Sequence, residues 1–253
     1  MNEATLEKMK QMKFYGMHNA FKTSVDTGKT DSYTSDELIA FLVDSEHDDR
    51  LTRKVNRYIA NARFRYKASI EDIRYEPARN LEKNKVLRMA ECTFIDRGEN
   101  ILITGSTGVG KSYLATALGF HACSKGYKVA YSNAGKLFAR LKMAKADGTY
   151  LKDMARFEKQ DVLILDDLGL QPMDAQARSI LLDLVEDRHG KRPMIIASQL
   201  PVDKWYDLIG DITQADALMD RLAHNAHRFD LQGESMRRKI LNKTETTTNE
   251  KTN

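Results

Sequence analysis

Two stretches of this chain carry residue types whose spacing implies phosphate chemistry. The first, GSTGVGKS at residues 105–112, satisfies G-x-x-x-x-G-K-[ST]; it follows the apolar run ILIT and precedes a helical pattern beginning at Tyr113. Gly105, Gly108 and Gly110 let the backbone curl so that successive N–H groups converge on an anion, and the following helix adds its partial positive N-terminus. A plain Gly-rich turn does not explain a Lys-Ser pair at that place. Lys111 would bring a full positive charge to the β and γ phosphates of a nucleotide, and the Ser112 hydroxyl is suited to Mg²⁺. The expected ATP contacts are Gly105, Ser106, Thr107, Gly108, Val109, Gly110, Lys111, Ser112 and Tyr113.

The second stretch lies about fifty residues on, where VLIL at residues 162–165 has the signature of a buried strand and ends in Asp166 and Asp167. Carboxylates at the C-terminal edge of such a strand stand where open α/β sheets bind ligands. Asp166 is the expected magnesium-side carboxylate, and Asp167 the group expected to polarise the attacking water. A further apolar run, MIIAS, ends at Ser198 and Gln199. If its strand lies between the other two, both polar groups would emerge beside the γ-phosphate and Gln199 could position the water.

The elements that must hold these residues follow from the apolar pattern. From residue 100 the short runs ILIT, KVAY, VLIL and MIIAS alternate with helix-length stretches, including 113–124 and 174–189, which predicts α/β architecture with a parallel sheet between helices. The first ninety-odd residues contain no convincing strand, and Leu38, Ile39, Leu42 and Val43, then Leu51, Val55, Ile59 and Ala62, recur at helical spacing. Thr34 and Glu37 have capping-box spacing, predicting a helix that starts near Ser35. Residues 69–77 mix charges with one proline and read as a connector. The expected organisation is an all-α domain at 1–68, a linker and lead-in helix at 69–98, the α/β domain at 99–240, and a disordered tail at 241–253 that has almost no apolar residues.

Composition bounds the alternatives. The 253 residues include 40 basic and 36 acidic side chains, and the balance matters less than its distribution. Residues 50–67 hold Arg50, Arg53, Lys54, Arg57, Arg63, Arg65 and Lys67 with no acid among them and with Tyr58, Phe64 and Tyr66 interleaved. With Leu51, Val55 and Ile59 turned inward, Arg53, Lys54 and Arg57 would form a cationic strip. Arg53, Lys54, Arg57, Arg63 and Arg65 are therefore candidate DNA contacts, against a solvated face or a protein-docking surface. The aromatics either stack on bases or pack into the domain. Cys92 and Cys123 lack partners for a disulfide or a zinc site, and no apolar run approaches the length of a membrane span, so a cytoplasmic setting is expected.

Taken in order, GSTGVGKSYLATALG, VLILDDLG, IIASQLP and MDRLAHNAHRFDLQGESMRR resemble the IstB-like transposition helper ATPases, relatives of the DnaC-type helicase loaders within the AAA+ superfamily. The resemblance runs to about Ile240. It implies a homo-oligomer with ATP at subunit interfaces, Arg221 as a finger reaching a neighbour's ATP, and Arg237, with Arg238 adjoining it, as a sensor of the subunit's own. It also implies duplex DNA and a separate transposase as partners. A replicative helicase loader is the alternative, since the two share nearly every site residue. A nucleotide-switch module without useful turnover is a third class.

Overall fold

The computed structural model describes residues 2–236. Arg237, Arg238 and the tail expected from 241 onward lie outside the described residues. Contacts divide the chain into two compact units, residues 1–57 and residues 58 onward. The division falls upstream of residue 68, where the sequence places a boundary, because Tyr58, Ile59, Ala62, Phe64 and Tyr66 pack with the core of the second unit.

The first unit is helical: α1 (Asn2–Gln11), α2 (Tyr15–Asp26) and the start of α3 (Ser35–Ala62). The capping box forms as its spacing predicts. The Thr34 amide donates to Glu37 Oε2 at 2.8 Å and the Glu37 amide to Thr34 Oγ1 at 3.3 Å, satisfying backbone groups that the first turn of α3 leaves open. Helices α2 and α3 touch at Gly16, where an added Cβ would lie 2.3 Å from the Ser45 carbonyl oxygen. Buried Glu46 closes this crossing by accepting from the amides of Gly16 at 2.8 Å and Met17 at 3.2 Å, a cap supplied to α2 by another helix. Covering α3 along the face of Ser45, Glu46 and Asp49 leaves Ile39, Val43 and Leu51 exposed. The expectation that Leu51 turns inward is thereby corrected.

The second unit is built on five parallel strands, β1 (Ile101–Gly105), β2 (Val129–Asn133), β3 (Val162–Leu168), β4 (Met194–Ser198) and β5 (His227–Leu231), in the spatial order β2-β3-β4-β1-β5. Alternate strand residues serve opposite faces, as a pleated strand requires. Ile101, Ile103, Val162, Ile164 and Ile195 join one core, which receives α4 (Lys83–Ala90), α5 (Thr93–Asp96) and α6 (Lys111–Ser124). Leu102, Leu163, Leu165, Met194 and Ile196 join the other. Over that second face lie α7 (Ala134–Asp147), α8 (Tyr150–Glu158), α9 (Ala175–Arg188), α10 (Trp205–Ile209) and α11 (Ile212–Ala223). With apolar layers on both sides, the strands read as continuous apolar runs rather than alternating ones.

Candidate nucleotide site

The first glycine-rich turn leaves β1 at Gly105 and enters α6 at Lys111. Gly105, Gly108 and Gly110 have φ of 139°, 87° and 103°, a region that side chains with a Cβ rarely adopt. Space enforces the same choice. A Cβ on Gly108 would lie 2.2 Å from Ser235 Oγ, and one on Gly110 would lie 2.6 Å from Arg79 Nη2. Lys111 is buried and donates to the Ser106 carbonyl at 2.8 Å, so its ammonium is held over the loop.

Because β4 lies between β1 and β3, the loop, the acid pair and Gln199 emerge at one edge of the sheet. Ser112 Oγ donates to Asp166 Oδ1 at 2.9 Å. Asp166 is fully buried and also accepts from the Tyr131 hydroxyl on Oδ2 and from the Asp167 amide at 3.0 Å, which offsets part of the cost of burying a carboxylate. Burial, then the bond to Asp166, pushes the Tyr131 phenol up, so it remains a donor. Between Leu165 and Leu168 the β3–β4 register slips, and Asp167 sits there with φ of 59°. This bulge turns Asp167 out of the ladder, and its Oδ2 meets Asn133 Nδ2 at 3.1 Å and Arg65 Nη1 at 3.8 Å.

A cavity of about 520 Å³ opens over these groups, lined by Thr107, Gly108, Gly110, Lys111, Ser112 and Tyr113 and also by Asp167 and Gln199. Thr107 Oγ1 donates to Gln199 Oε1 at 2.9 Å. Of the remaining loop residues, Gly105 abuts the Leu231 carbonyl, Ser106 accepts from Lys111, and the Val109 carbonyl accepts from Arg79. These three shape the loop without lining the cavity. Ser198, expected beside the γ-phosphate, is instead buried and donates to the Leu168 carbonyl at 2.8 Å, clamping the bulge. Burial among backbone acceptors makes this serine a positioning group for β3.

The far wall of the cavity was not legible in the sequence. Asp72, Ile73, Arg74, Arg79 and Leu81 line it, all from the stretch read as a connector and lead-in. Arg79 is only 7% exposed; its Nη2 donates to the Val109 carbonyl at 2.8 Å and its Nη1 to the Arg74 carbonyl, while Nε has no hydrogen-bond partner among the described residues. Burial lowers its pKa, against an opposing pull from the Glu76 carboxylate. Arg188, another buried arginine, closes on the carbonyls of Phe157, Gln160, Asp161 and Pro193 and ties the base of the sheet together. Arg79 differs in facing a cavity. The segment after β5 completes the wall: the Met236 amide donates to the Gly108 carbonyl at 2.9 Å and the Gln232 amide to the Arg79 carbonyl at 3.1 Å.

The cationic run divides. Arg53 meets Asp49 at 2.6 Å and Glu46 at 3.6 Å and lies over the Tyr15 ring, within the helical unit. Arg63 and Arg65 flank Asp167 in a neighbouring cleft. Phe64 packs 5.0 Å from Phe120, and Tyr66 stacks on Tyr113 at 6.2 Å, so both aromatics serve the fold rather than standing free for bases. Arg221 on α11 pairs with Glu186 at 2.6 Å and does not line its own chain's nucleotide cavity.

A five-stranded parallel sheet in this order, with a glycine-rich loop and an acid pair at one edge, defines a P-loop protein. The chain belongs to the IstB-like ATP binding protein family, whose model matches residues 7–244. It is 42% identical over 234 residues to an insertion sequence ATP-binding protein of Sinorhizobium fredii, covering 92% of this chain and 96% of the relative. It is 35% identical over 202 residues to the insertion sequence IS1162 ATP-binding protein of Pseudomonas fluorescens, covering 79% and 87%. In fold it is similar to the DnaC helicase loader, at a TM-score of 0.56 and 21% identity over 70% of this chain and 99% of that one. The replication initiator DnaA bound to AMPPCP and single-stranded DNA is similar at 0.59 and 21%, over 74% and 57%.

Proposed function

We propose that this chain is a transposition helper that binds and hydrolyses Mg-ATP, assembles with copies of itself on duplex DNA and recruits or stimulates a separate transposase. The observation that carries the ATPase reading is the meeting of Ser112 Oγ with Asp166 Oδ1 at 2.9 Å beside the cavity, with Asp167 turned outward next to it. A hydroxyl and one carboxylate are oxygen donors of the kind that hold Mg²⁺ when phosphate oxygens supply the rest. Bound there, the ion would neutralise charge developing on the phosphates. Arg79 supports an anionic occupant, because a buried guanidinium on a cavity wall beside Lys111 gains from a ligand that brings negative charge.

In this reading Lys111 binds the β and γ phosphates, and Asp167 accepts a proton from the attacking water that Gln199 orients. Arg221 acts on the ATP of a neighbouring copy, and Arg237 on that of its own. Placing Arg221 outside its own cavity agrees with action in trans. The insertion-sequence role rests on what the relatives are called, and the cytoplasmic setting on the burial of both cysteines as free thiols, pushed up to about 11 at Cys92 and about 12 at Cys123.

The deciding experiment is gel-shift and negative-stain imaging on long random-sequence duplex, with ATP, with ADP and without nucleotide, alongside phosphate release. Ordered ATP-dependent oligomers on duplex are expected. Binding to single strands or to a replicative helicase, with none to duplex, overturns this in favour of a loader; absence of turnover overturns it in favour of a nucleotide switch.

A further inference from the structure

Among the described residues, Lys111 and Arg79 are the buried cations on the wall of the nucleotide cavity. Lys111 belongs to the loop, whereas Arg79 is brought there from a remote stretch of chain. A single helical turn at Pro77–Arg79 is stopped by Asn80, which takes the left-handed region at φ of 50°. The end of β5 fixes this turn: Asn80 Nδ2 donates to the Asp230 carbonyl at 3.0 Å, and the Arg79 carbonyl accepts from the Gln232 amide at 3.1 Å. The side chain is anchored as well. Its Nη1 donates to the Arg74 carbonyl and its Nη2 to the Val109 carbonyl, and Nη2 lies 2.6 Å from the place of a Cβ on Gly110. The guanidinium is therefore set against the last loop residue before α6. Two of its nitrogens are spent on neutral carbonyls, and Nε has no hydrogen-bond partner among the described residues. A buried donor left open is costly unless a ligand completes it.

The phosphates of a nucleotide divide among the groups already placed. Loop amides cradle α and β, Lys111 reaches β and γ, and Ser112 with Asp166 suits the metal. That division leaves the α-phosphate without a side-chain cation. Arg79 stands where the loop passes into α6, on a wall that also carries Ile73, Leu81 and Tyr113. Apolar and aromatic groups there suit a nucleoside, so the phosphate beside them is the one joined to it. We propose that Arg79 binds the α-phosphate directly, through Nε and the charge of a guanidinium whose other two nitrogens are already anchored. The inference rests on the nucleotide reading above and adds a binding residue to it. Because ATP and ADP share the α-phosphate, Arg79 holds both alike. Lys111 and the metal lose a partner when the γ-phosphate leaves; Arg79 does not, and it retains the product in the loop.

Calorimetric titration of the full chain with ATP, ADP and tripolyphosphate, together with ³¹P spectra of bound ADP, tests this. Arg79→Met should weaken all three by a common factor of about 10–100, the equivalent of one charged hydrogen bond. Arg79→Lys should recover part of that loss for ATP and ADP equally. In Arg79→Lys the α-phosphorus resonance of bound ADP should move while the β-phosphorus resonance stays. The wild-type Arg79 Nε–H resonance, identified by its disappearance in Arg79→Lys, should shift when ADP is added, a measurement that stands even where Arg79→Met fails to fold. Losses for ATP and ADP with tripolyphosphate unaffected would put the contact on the nucleoside and overturn the inference. So would a β-phosphorus shift as large as that of the α-phosphorus, which would make Arg79 a support of the loop alone, or an Nε–H resonance unmoved by ADP. A wild-type chain that binds no ADP fails the nucleotide reading itself, a separate outcome that removes the ligand Arg79 requires.

Discussion

The helical unit and the α/β unit treat buried charge in opposite ways. In the first, Glu46 takes two amides of α2 and the side chain of Arg50 at 2.6 Å, and Arg53 is closed off by Asp49. In the second, Arg79 donates to the carbonyls of Arg74 and Val109, Lys111 reaches a loop carbonyl, and both side chains line a cavity. Charge matched by neighbours fixes a fold, whereas cations left facing a cavity reserve their interaction for something that arrives. A basic run in a sequence therefore says little until its acids are located in space.

The largest effect should come from the cavity. Lys111→Ala is expected to weaken ATP binding by about 2–5 kcal/mol, the range for removing one partner of a desolvated charge contact, measured by calorimetric titration with the fold intact by circular dichroism. Near-normal ATP affinity would break the contrast at its centre. Asp167→Asn should leave ATP affinity near wild type and slow phosphate release by about 10²-fold or more, as loss of a general base does; unchanged turnover would remove its role.

On the matched side, Gly16→Ala must push apart a pair of helices whose backbones are in contact, at a cost of about 1–3 kcal/mol, read by hydrogen exchange in α2. Glu46→Gln should cost about 1–2 kcal/mol through the weakened cap and should also change the pH dependence. Burial raises the Glu46 pKa, but its hydrogen bonds to Arg50, Met17 and Gly16 outweigh this and lower it overall. A carboxylate lowered on folding stabilises fully above its unfolded pKa of about 4.3 and loses that contribution as pH falls through the lowered folded value. Protection of α2 should therefore fall with acid in the wild type and less so in Glu46→Gln; equal acid sensitivity would detach Glu46 from the crossing. Thr34→Ala, which opens the capping box, is the smallest, about 1 kcal/mol, visible as fraying at the start of α3.

What the sequence disclosed, and what it withheld, divides along the range of the interaction. The capping box at Thr34, the strand of residues 162–165 and the glycine loop are local patterns, and each stands where its spacing predicts. The sheet class followed from apolar runs separated by helix-length stretches, and the family from four motifs in order. Arg79 carried no such signal: its role depends on Val109, thirty positions along the chain, through a bond that no periodicity records. Ser198 misled for the same reason, since whether its hydroxyl faces a ligand or the Leu168 carbonyl depends on a bulge in the neighbouring strand. Leu51 has an apolar side chain at helical spacing but lies outside the face of α3 that contacts Gly16.

One contact also bears on the order in which the protein is made. Gly108 is fitted to Ser235, and the amide of Met236 bonds back to the Gly108 carbonyl. During synthesis the loop leaves the ribosome more than a hundred residues before the segment that closes over it, so the growing chain carries an unfinished nucleotide site until Ser235 and Met236 have emerged.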